Sequence, residues 1–307
     1  MYQDCSLCPR RCHVNREKGK GACHVGAGLI LSRAALHMWE EPCISGEKGS
    51  GAVFFSGCSL GCVFCQNYEI SGGKAGMEVS TERLVEIFFE LKEQGANNIN
   101  LVTADHYILQ VCEAIKRAKA RGFDLPVVYN CSGYENVDTL RLLEGLVDVY
   151  LPDFKYWESE TAARYSNAPD YPEVARGAIE EMVRQTGECT FDADGMIQKG
   201  VIVRHLLLPG KVKEAGKIVR YLYETYKDKI FISLMNQCTP VQGTETRLKD
   251  FPELHRKVTG REYDRWIQYV LELGVSNAYV QEGETAQESF IPAFNLEGVK
   301  NEQTERM

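Results

Sequence analysis

From about residue 50 onward, short apolar segments alternate with amphipathic segments along the chain. The apolar segments are rich in Val, Ile, Leu and Phe and show little polar alternation, which is typical of parallel strands buried on both faces. The strand candidates are Ala52–Ser56, Asn98–Thr103, Pro126–Tyr129, Val147–Leu151, Val201–Leu208, Ile230–Met235 and Asn277–Val280. This alternation excludes all-helical and all-β folds.

The amphipathic segments predict helices. Thr81–Gln94 follows Ser80, a favourable N-cap residue, and ends at Gly95. The other helix candidates are Tyr107–Arg121, Asn136–Leu143, Ser159–Tyr165, Pro172–Gln185, Lys213–Tyr226 and Tyr263–Leu273. A polar turn at Asp192–Gly195 predicts a small hairpin before the fifth strand candidate.

Repeated strand–helix units indicate an α/β fold with a parallel sheet and right-handed crossovers, either doubly wound or a β/α barrel. No Gly-rich dinucleotide fingerprint follows any strand candidate, which favours a partial or full TIM-like barrel. In either architecture the active face lies at the carboxyl ends of the strands.

Eight of the 12 cysteines lie in the first 65 residues, at Cys5, Cys8, Cys12, Cys23, Cys43, Cys58, Cys62 and Cys65. No apolar run approaches the roughly 18–20 residues that cross a bilayer, and the first residues do not resemble a secretory signal. We therefore expect a cytoplasmic protein without a membrane partner. In a reducing compartment, clustered cysteines indicate metal or redox chemistry more than a disulfide scaffold.

Three cysteines form a C-x3-C-x2-C motif, Cys58, Cys62 and Cys65, on the loop that leaves the first barrel strand. Structural zinc sites have four protein ligands and no open position, and catalytic zinc sites use more nitrogen and oxygen ligands. Three soft thiolates instead suit three irons of a 4Fe–4S cluster and leave the fourth iron open. The spacing also differs from the C-x2-C-x2-C run of bacterial ferredoxins.

This motif resembles that of the radical S-adenosylmethionine (SAM) superfamily, including the aromatic Phe64 before the last cysteine. The surrounding sequence resembles more closely the pyruvate formate-lyase activating enzyme-related proteins. The matching segments are Arg33–His37, Trp39–Gly46, Gly49–Gly51, Cys62–Ser71, Asn98–Tyr107, Tyr129–Glu135, Asp153–Tyr156 and Arg204–Gly210. The resemblance thus covers nearly the whole chain.

The resemblance implies that Cys58, Cys62 and Cys65 hold a 4Fe–4S cluster whose open iron is chelated by the amino and carboxylate groups of SAM. One electron, from a donor such as flavodoxin or ferredoxin, would yield methionine and a 5′-deoxyadenosyl radical that abstracts hydrogen. The leading substrate by resemblance is a glycyl radical enzyme, as for pyruvate formate-lyase activating enzymes. A small molecule, another protein or RNA are the alternatives.

Two strand ends supply expected cofactor-binding residues. Where the superfamily has a Gly-Gly-Glu-like segment that binds the methionine amino group, this chain has Thr103 and Asp105. Asp105 could alternatively cap the following helix. After the third strand, Asn130 and Ser132 could meet the ribose or carboxylate of the cofactor, or could only hold a turn.

The next strand ends add three charged residues. Asp153 and Lys155 resemble the Asp-x-Lys of activating enzymes and are the expected catalytic residues, Lys155 neutralising a carboxylate and Asp153 orienting it. A surface salt bridge is the alternative. Arg204 interrupts an apolar run, so its burial requires a partner, which we expect to be a carboxylate of the cofactor or substrate.

A second cysteine group, Cys5, Cys8, Cys12 and Cys23, supplies enough thiols for a closed tetrahedral site. Zinc or a second Fe–S cluster would fit, and His13, His24 or Cys43 could compete as ligands. We predict a cysteine-rich extension at residues 1–48, a barrel at residues 49–298 and a charged tail at residues 299–307.

Residues 1–24 hold five basic side chains against two acidic ones, whereas the whole chain has a net charge of −8. We interpret this basic segment as a solvated loop; a docking surface for an acidic electron donor or for RNA is the alternative. The negative total makes nucleic acid an unexpected partner.

A hypothesis of another class is a non-catalytic iron–sulfur or zinc protein, such as an electron carrier or redox sensor. The three-thiol motif and the polar groups predicted on one rim disfavour it, because a carrier needs neither.

Overall fold

The computed structural model describes residues 1–240, 245–281 and 291–300. The strands are β1 Leu29–His37, β2 Ser50–Phe55, β3 Met77–Val79, β4 Ile99–Val102, β5 Val127–Cys131, β6 Val149–Pro152, β7 Thr190–Phe191, β8 Ile197–Leu206, β9 Phe231–Met235 and β10 Ala278–Val280. The helices are α1 Pro42–Ser45, α2 Tyr68–Ser71, α3 Thr81–Glu93, α4 Ile108–Ala120, α5 Val137–Leu140, α6 Ser159–Ser166, α7 Tyr171–Thr186, α8 Val212–Tyr226, α9 Glu245–Leu248 and α10 Gly260–Glu272.

The strands form one sheet in the order β10-β9-β8-β6-β5-β4-β2-β1-β3, with β7 paired to β8. From β2 to β10 every neighbouring pair along this path is parallel, whereas β1 pairs antiparallel with β2 and β3 with β1. Within the described ranges the two outer strands, β10 and β3, do not pair with each other, so the sheet is a partial barrel. The predicted α/β class is confirmed, and each predicted strand overlaps an observed one.

Each predicted helix likewise overlaps a helix of the structure. The Ser80 hydroxyl accepts a hydrogen bond from the Arg83 amide at the start of α3, as the sequence predicts for an N-cap. The predicted hairpin is formed by β7 and β8, which pair antiparallel around the polar turn. Among the described residues, no helix combines the length and apolarity that crossing a bilayer requires.

Two strands were not predicted, and they bear on the predicted domains. β1 belongs to the segment assigned to the extension, yet it pairs with β2 along its length. A boundary at residue 48 therefore does not separate two folding units. At the other end, Val299 is fully buried, and the Arg83 guanidinium donates hydrogen bonds to the carbonyls of residues 298–300. The start of the predicted tail is thus docked, while residues 301–307 lie outside the described residues.

The segment after β1 closes one end of the barrel interior. His37 pairs with Ser50, so β1 ends at the amino-terminal end of β2. α1 follows, and its Cys43 and Ile44 pack in a cluster with Val128, Val149, Leu151, Ile197 and Ile202. The Asn98 side chain donates to the carbonyl of Ile44 at 2.8 Å. These contacts fill the barrel interior at the amino-terminal ends of the strands.

Two arginines of the basic amino-terminal segment are used inside the fold. The Arg10 guanidinium donates to the carbonyls of Ser59 at 2.9 Å and Ser166 at 2.7 Å. Arg16 is buried, donates to the carbonyl of His106 at 2.5 Å and lies over the ring of Tyr107. The exposed basic residues that remain are Arg11, Lys18 and Lys20, against the exposed Asp4 and Glu17. The predicted solvated loop is therefore partly wrong, and little net charge is left for docking an acidic partner.

Candidate active site

A cavity of about 410 Å³ opens at the carboxyl ends of the parallel strands. Its walls come from successive strand ends and from the loop after β2. The polar and cysteine residues that line it include Glu40, Glu41, Cys58, Cys62, Cys65, Gln66, Thr103, Asn130, Ser132, Asp153, Lys155, Arg204, Ser233 and Gln237. Most residues predicted from strand ends and from the cysteine motif therefore lie around one volume, which falls within the size range of small-molecule sites.

The cysteine loop depends on two glycines with positive φ. Gly57 has φ +92°, and a Cβ there would lie 2.7 Å from the carbonyl oxygen of Cys23. Gly61 has φ +65°, which lets the chain turn between Cys58 and Cys62. The Cys58 amide donates to the Cys23 carbonyl at 3.2 Å. The amino-terminal cysteine segment therefore packs directly against the start of the loop.

The three motif thiols share one environment. Burial raises the pKa of the Cys58 thiol, and the nearby Asp105, Cys65 and Cys62 raise it further. Burial and Cys62 also raise the pKa of Cys65, while Lys155 opposes that shift. Such thiols are inert unless a cation stabilises their thiolate form. Soft thiols that face one cavity and influence each other fit the ligand set of an iron–sulfur cluster.

Within the described ranges, no three Cys, His, Asp or Glu side chains lie close enough to hold a single metal ion. A tetrahedral zinc ion, with Zn–S bonds of about 2.3 Å, requires sulfur atoms roughly 3.8 Å apart. A four-iron cluster binds each cysteine through a different iron and so holds its ligands further apart. Among the described residues, the motif thiols thus form no ready-made ligand set for a single zinc ion.

The same observation applies to the amino-terminal group of Cys5, Cys8, Cys12 and Cys23. The structure does not gather these four thiols into the tetrahedral set that zinc requires. Of the proposed competing ligands, His13 pairs with Asp4 at 2.7 Å, and Cys43 packs in the barrel interior. A metal at this group, whether zinc or a second Fe–S cluster, stays a prediction.

Arg204 lies at the centre of a polar network on the cavity wall. Its Nε donates to Asp153 Oδ1 at 2.9 Å, and its Nη2 donates to Asn130 Oδ1 at 2.6 Å. Its Nη1 pairs with Glu40 Oε2 at 3.1 Å, and Lys155 Nζ pairs with Asp153 Oδ2. The protein itself thus supplies two carboxylates to Arg204, and contact of Arg204 with a carboxylate of the cofactor or substrate stays a prediction.

The charges of this network stabilise each other. Burial alone would raise the pKa of Asp153, but Arg204 and Lys155 hold it below its usual range. Burial likewise disfavours the Lys155 ammonium, but Asp153 raises its pKa above the ordinary value. Asp153 and Lys155 are mostly buried, so the surface salt bridge that we considered as the alternative is excluded.

Asp105 does not belong to the described lining of the cavity. It is buried behind the cysteine loop, where its Oδ1 lies 3.2 Å from His106 Nδ1, and His106 Nε2 bonds the Ser56 carbonyl at 2.8 Å. The cap alternative is not supported either, because α4 begins at Ile108 with Tyr107 as its N-cap residue. Asp105 therefore supports the loop rather than facing the cavity, in contrast to our expectation.

Thr103 lines the cavity with φ +61°, a left-handed conformation that is costly for a β-branched residue. Replacing Thr103 with glycine should therefore raise the free energy of unfolding by about 0.5–1 kcal/mol. Urea denaturation would measure the change, with Thr103→Ala as the control because alanine keeps the strain. A lower midpoint for the glycine variant than for the alanine variant would contradict this account.

Sequence reasoning missed Glu40 and Glu41 as site residues. Glu40 Oε1 accepts hydrogen bonds from Asn100 Nδ2 and Asn130 Nδ2, both at 3.1 Å. Both carboxylates line the cavity from the segment between β1 and α1. The sequence signal for these site residues was the pair of adjacent glutamates before Pro42. If this segment enters the barrel, the two carboxylates cannot both face solvent.

Comparisons with known proteins identify several similar chains. The chain is 26% identical over 277 residues to the uncharacterized protein MJ0674 of Methanocaldococcus jannaschii, covering 87% of this chain and 74% of that protein. Two similar solved structures are a radical SAM methyltransferase from Sphaerobacter thermophilus and a domain of pyruvate-formate lyase-activating enzyme from Bacteroides vulgatus. The first has 16% identity and TM-score 0.48, over 76% of this chain and 66% of that one. The second has 14% identity and TM-score 0.37, over 57% and 92%.

The model of the Radical SAM superfamily matches residues 52–222. The matched range begins in β2, includes the cysteine loop and runs through β8 into α8. It contains the three motif cysteines and Arg204, which the structure places around one cavity. Because this match covers more than half of the chain, the protein belongs to the radical SAM superfamily.

Proposed function

We propose that this enzyme reductively cleaves SAM at the cavity and uses the resulting radical to abstract hydrogen from a bound substrate. Membership of the superfamily implies a 4Fe–4S cluster and SAM as cofactors. The observation that carries the proposal is that Cys58, Cys62 and Cys65 line the same cavity as the Asp153–Arg204 network. When bound there, the cluster would supply the electron that breaks the sulfonium bond.

The protein's own residues have three tasks in this reaction. Lys155 holds a positive charge beside the cysteine loop, where it can neutralise a carboxylate of the cofactor. Asp153 pairs with both Lys155 and Arg204, and these two ion pairs fix the position of Lys155. The apolar lining, which includes Phe54, Leu60 and Val102, excludes water from a reactive intermediate.

Anaerobic reconstitution with iron and sulfide, followed by dithionite and SAM, tests this proposal. We expect 5′-deoxyadenosine to accumulate, and we expect a Lys155→Met variant to form it at least about tenfold more slowly because a charge-assisted contact is lost. Glu47→Gln, an exposed change, is the matched control. An electron carrier or redox sensor yields no 5′-deoxyadenosine, so that result would exclude the proposal.

Within this chemistry, activation of a glycyl radical enzyme is the candidate that the sequence resemblance favours. Incubation of the reduced enzyme with SAM and a partner carrying α-deuterated glycine should transfer deuterium to 5′-deoxyadenosine. A flavodoxin or ferredoxin as physiological electron donor is part of the same candidate function. Unlabelled 5′-deoxyadenosine and no organic radical signal would exclude that partner as substrate.

A small-molecule substrate is the second candidate, and the shape of the cavity favours it. The barrel interior is closed at the amino-terminal end by α1 and its packing cluster. Glu40 and Glu41 therefore lie at the floor of a blind cavity rather than along an open channel. A compact ligand can reach that floor more readily than a protein backbone segment.

A further inference from the structure

Glu41 is a buried carboxylate at the cavity floor that the proposed reaction does not use. Its side chain lines the cavity, the residue is 8% exposed, and its Oε2 has no hydrogen-bond partner among the described residues. An unpaired buried carboxylate is costly, and such a group in a native structure requires an explanation. Its position on a cavity wall suggests that a ligand supplies the partner.

The neighbouring charged groups are already paired. Lys155 pairs with Asp153, and Arg204 pairs with both Asp153 and Glu40. Among the described residues, no lysine or arginine nitrogen lies within ion-pair distance of Glu41. The lining thus holds three carboxylates against two cations, and Glu41 is the carboxylate without a direct cationic partner.

The electrostatic surroundings of Glu41 agree with this count. Burial raises its pKa, Arg204 opposes that shift, and Glu40 adds to it. A cation placed against Oε2 would offset the burial and stabilise the ionised form. A neutral group would leave the deficit of positive charge unchanged, and an anionic group would increase it.

Glu41 and the cysteine loop lie at opposite ends of the polar network. Lys155 is an electrostatic neighbour of Cys62, and from it contacts run through Asp153 and Arg204 to Glu40. The charged neighbours of Glu41 are Arg204 and Glu40. A ligand group at Glu41 is therefore separated from groups bound beside the cysteines.

We propose that the cavity floor at Glu41 is a substrate subsite for a protonated nitrogen, a primary ammonium or guanidinium group, on a small-molecule substrate. This inference rests on the proposed function only for the identity of the ligand as substrate. Ser233 also lines the cavity and is hydrogen-bonded to the Glu41 carboxylate, so Oε2 is the oxygen that a ligand would contact. The cofactor also carries an ammonium group, so the test must separate the two sources.

The probes are n-butylammonium and its neutral counterpart 1-butanol, titrated by calorimetry or ligand-observed NMR into the reconstituted protein. We expect the wild type to bind the cation at least about tenfold more tightly than the alcohol, because a charge-assisted hydrogen bond forms only with the cation. Glu41→Gln should remove that preference, whereas Glu47→Gln should retain it. Equal binding of both probes by the wild type would overturn the proposal, whether or not the variant folds.

Saturating S-adenosylhomocysteine, which carries the same amino and carboxylate groups as SAM, separates the two sources. The substrate assignment predicts that n-butylammonium still binds with the cofactor analogue present. Competitive displacement would assign Glu41 to the cofactor and overturn the substrate assignment. Formation of 5′-deoxyadenosine is measured in parallel: its absence, with cation binding intact, counts against the proposed function and not against the subsite.

Discussion

Replacing Cys62 with alanine is expected to reduce 5′-deoxyadenosine formation to background. Cys62 lies between the other two motif cysteines, and its Sγ accepts a hydrogen bond from Ser166 Oγ at 3.1 Å. With only two motif thiols left, two of the four irons would lack a protein ligand instead of one. The cluster should therefore be lost or unstable. Iron and sulfide content after anaerobic reconstitution, together with 5′-deoxyadenosine yield, measures the effect.

Cys112→Ala is the matched control for this substitution. Cys112 is also buried, but it lies on α4, and its Sγ faces the carbonyl of Leu142 at 3.4 Å. We expect this variant to keep its iron and its activity. If Cys62→Ala retained both as well, the assignment of the motif as the cluster site would be wrong.

The second large effect is expected from Arg204→Met. The substitution leaves Asp153 and Glu40 buried without their shared cation, and removing one partner of a buried ion pair typically costs about 3–5 kcal/mol. The free energy of unfolding, from urea denaturation, should fall by an amount of that order. Arg141→Met is the control, because the ion pair of Arg141 with Asp138 is exposed and its loss should leave the midpoint nearly unchanged.

A double variant separates loss of charge balance from loss of packing. Adding Glu40→Gln to Arg204→Met removes the carboxylate whose cationic partner is Arg204 and should recover part of the lost stability, whereas Asp153 keeps its ion pair with Lys155. If the double variant is instead as unstable as the sum of the two single variants, the two side chains are not energetically coupled. That outcome would contradict the network described here.

The parallel strands could be predicted because they are buried on both faces. β4, β5 and β6 are fully buried, so they appear in the sequence as mainly apolar runs, with Asn100 and Asn130 as the polar exceptions. β1 was missed because its burial is mixed and Ser32 and Arg33 interrupt it. It is an antiparallel strand added to the parallel set, a pairing that strand–helix alternation does not predict.

The site was predictable where it follows from topology. Thr103, Asn130 and Asp153 lie at or just after the carboxyl ends of neighbouring parallel strands, and such positions must converge. The partner of Arg204 was not predictable in this way. Glu40 is 164 positions from Arg204 in the sequence and enters the cavity from the amino-terminal ends of the parallel strands. Sequence reasoning required a partner for a buried arginine but could not identify it.

In the proposed function, three protein thiols hold the cluster and leave one iron open to SAM. The most direct test is EPR spectroscopy of the dithionite-reduced, reconstituted protein before and after addition of SAM. It is carried out on the wild type and on Cys131→Ala, because Cys131 is another cysteine that lines the cavity. We predict that SAM changes the cluster spectrum of both proteins. A spectrum that SAM leaves unchanged in the wild type, or that responds to SAM only after Cys131 is removed, would show that the fourth iron already has a protein ligand.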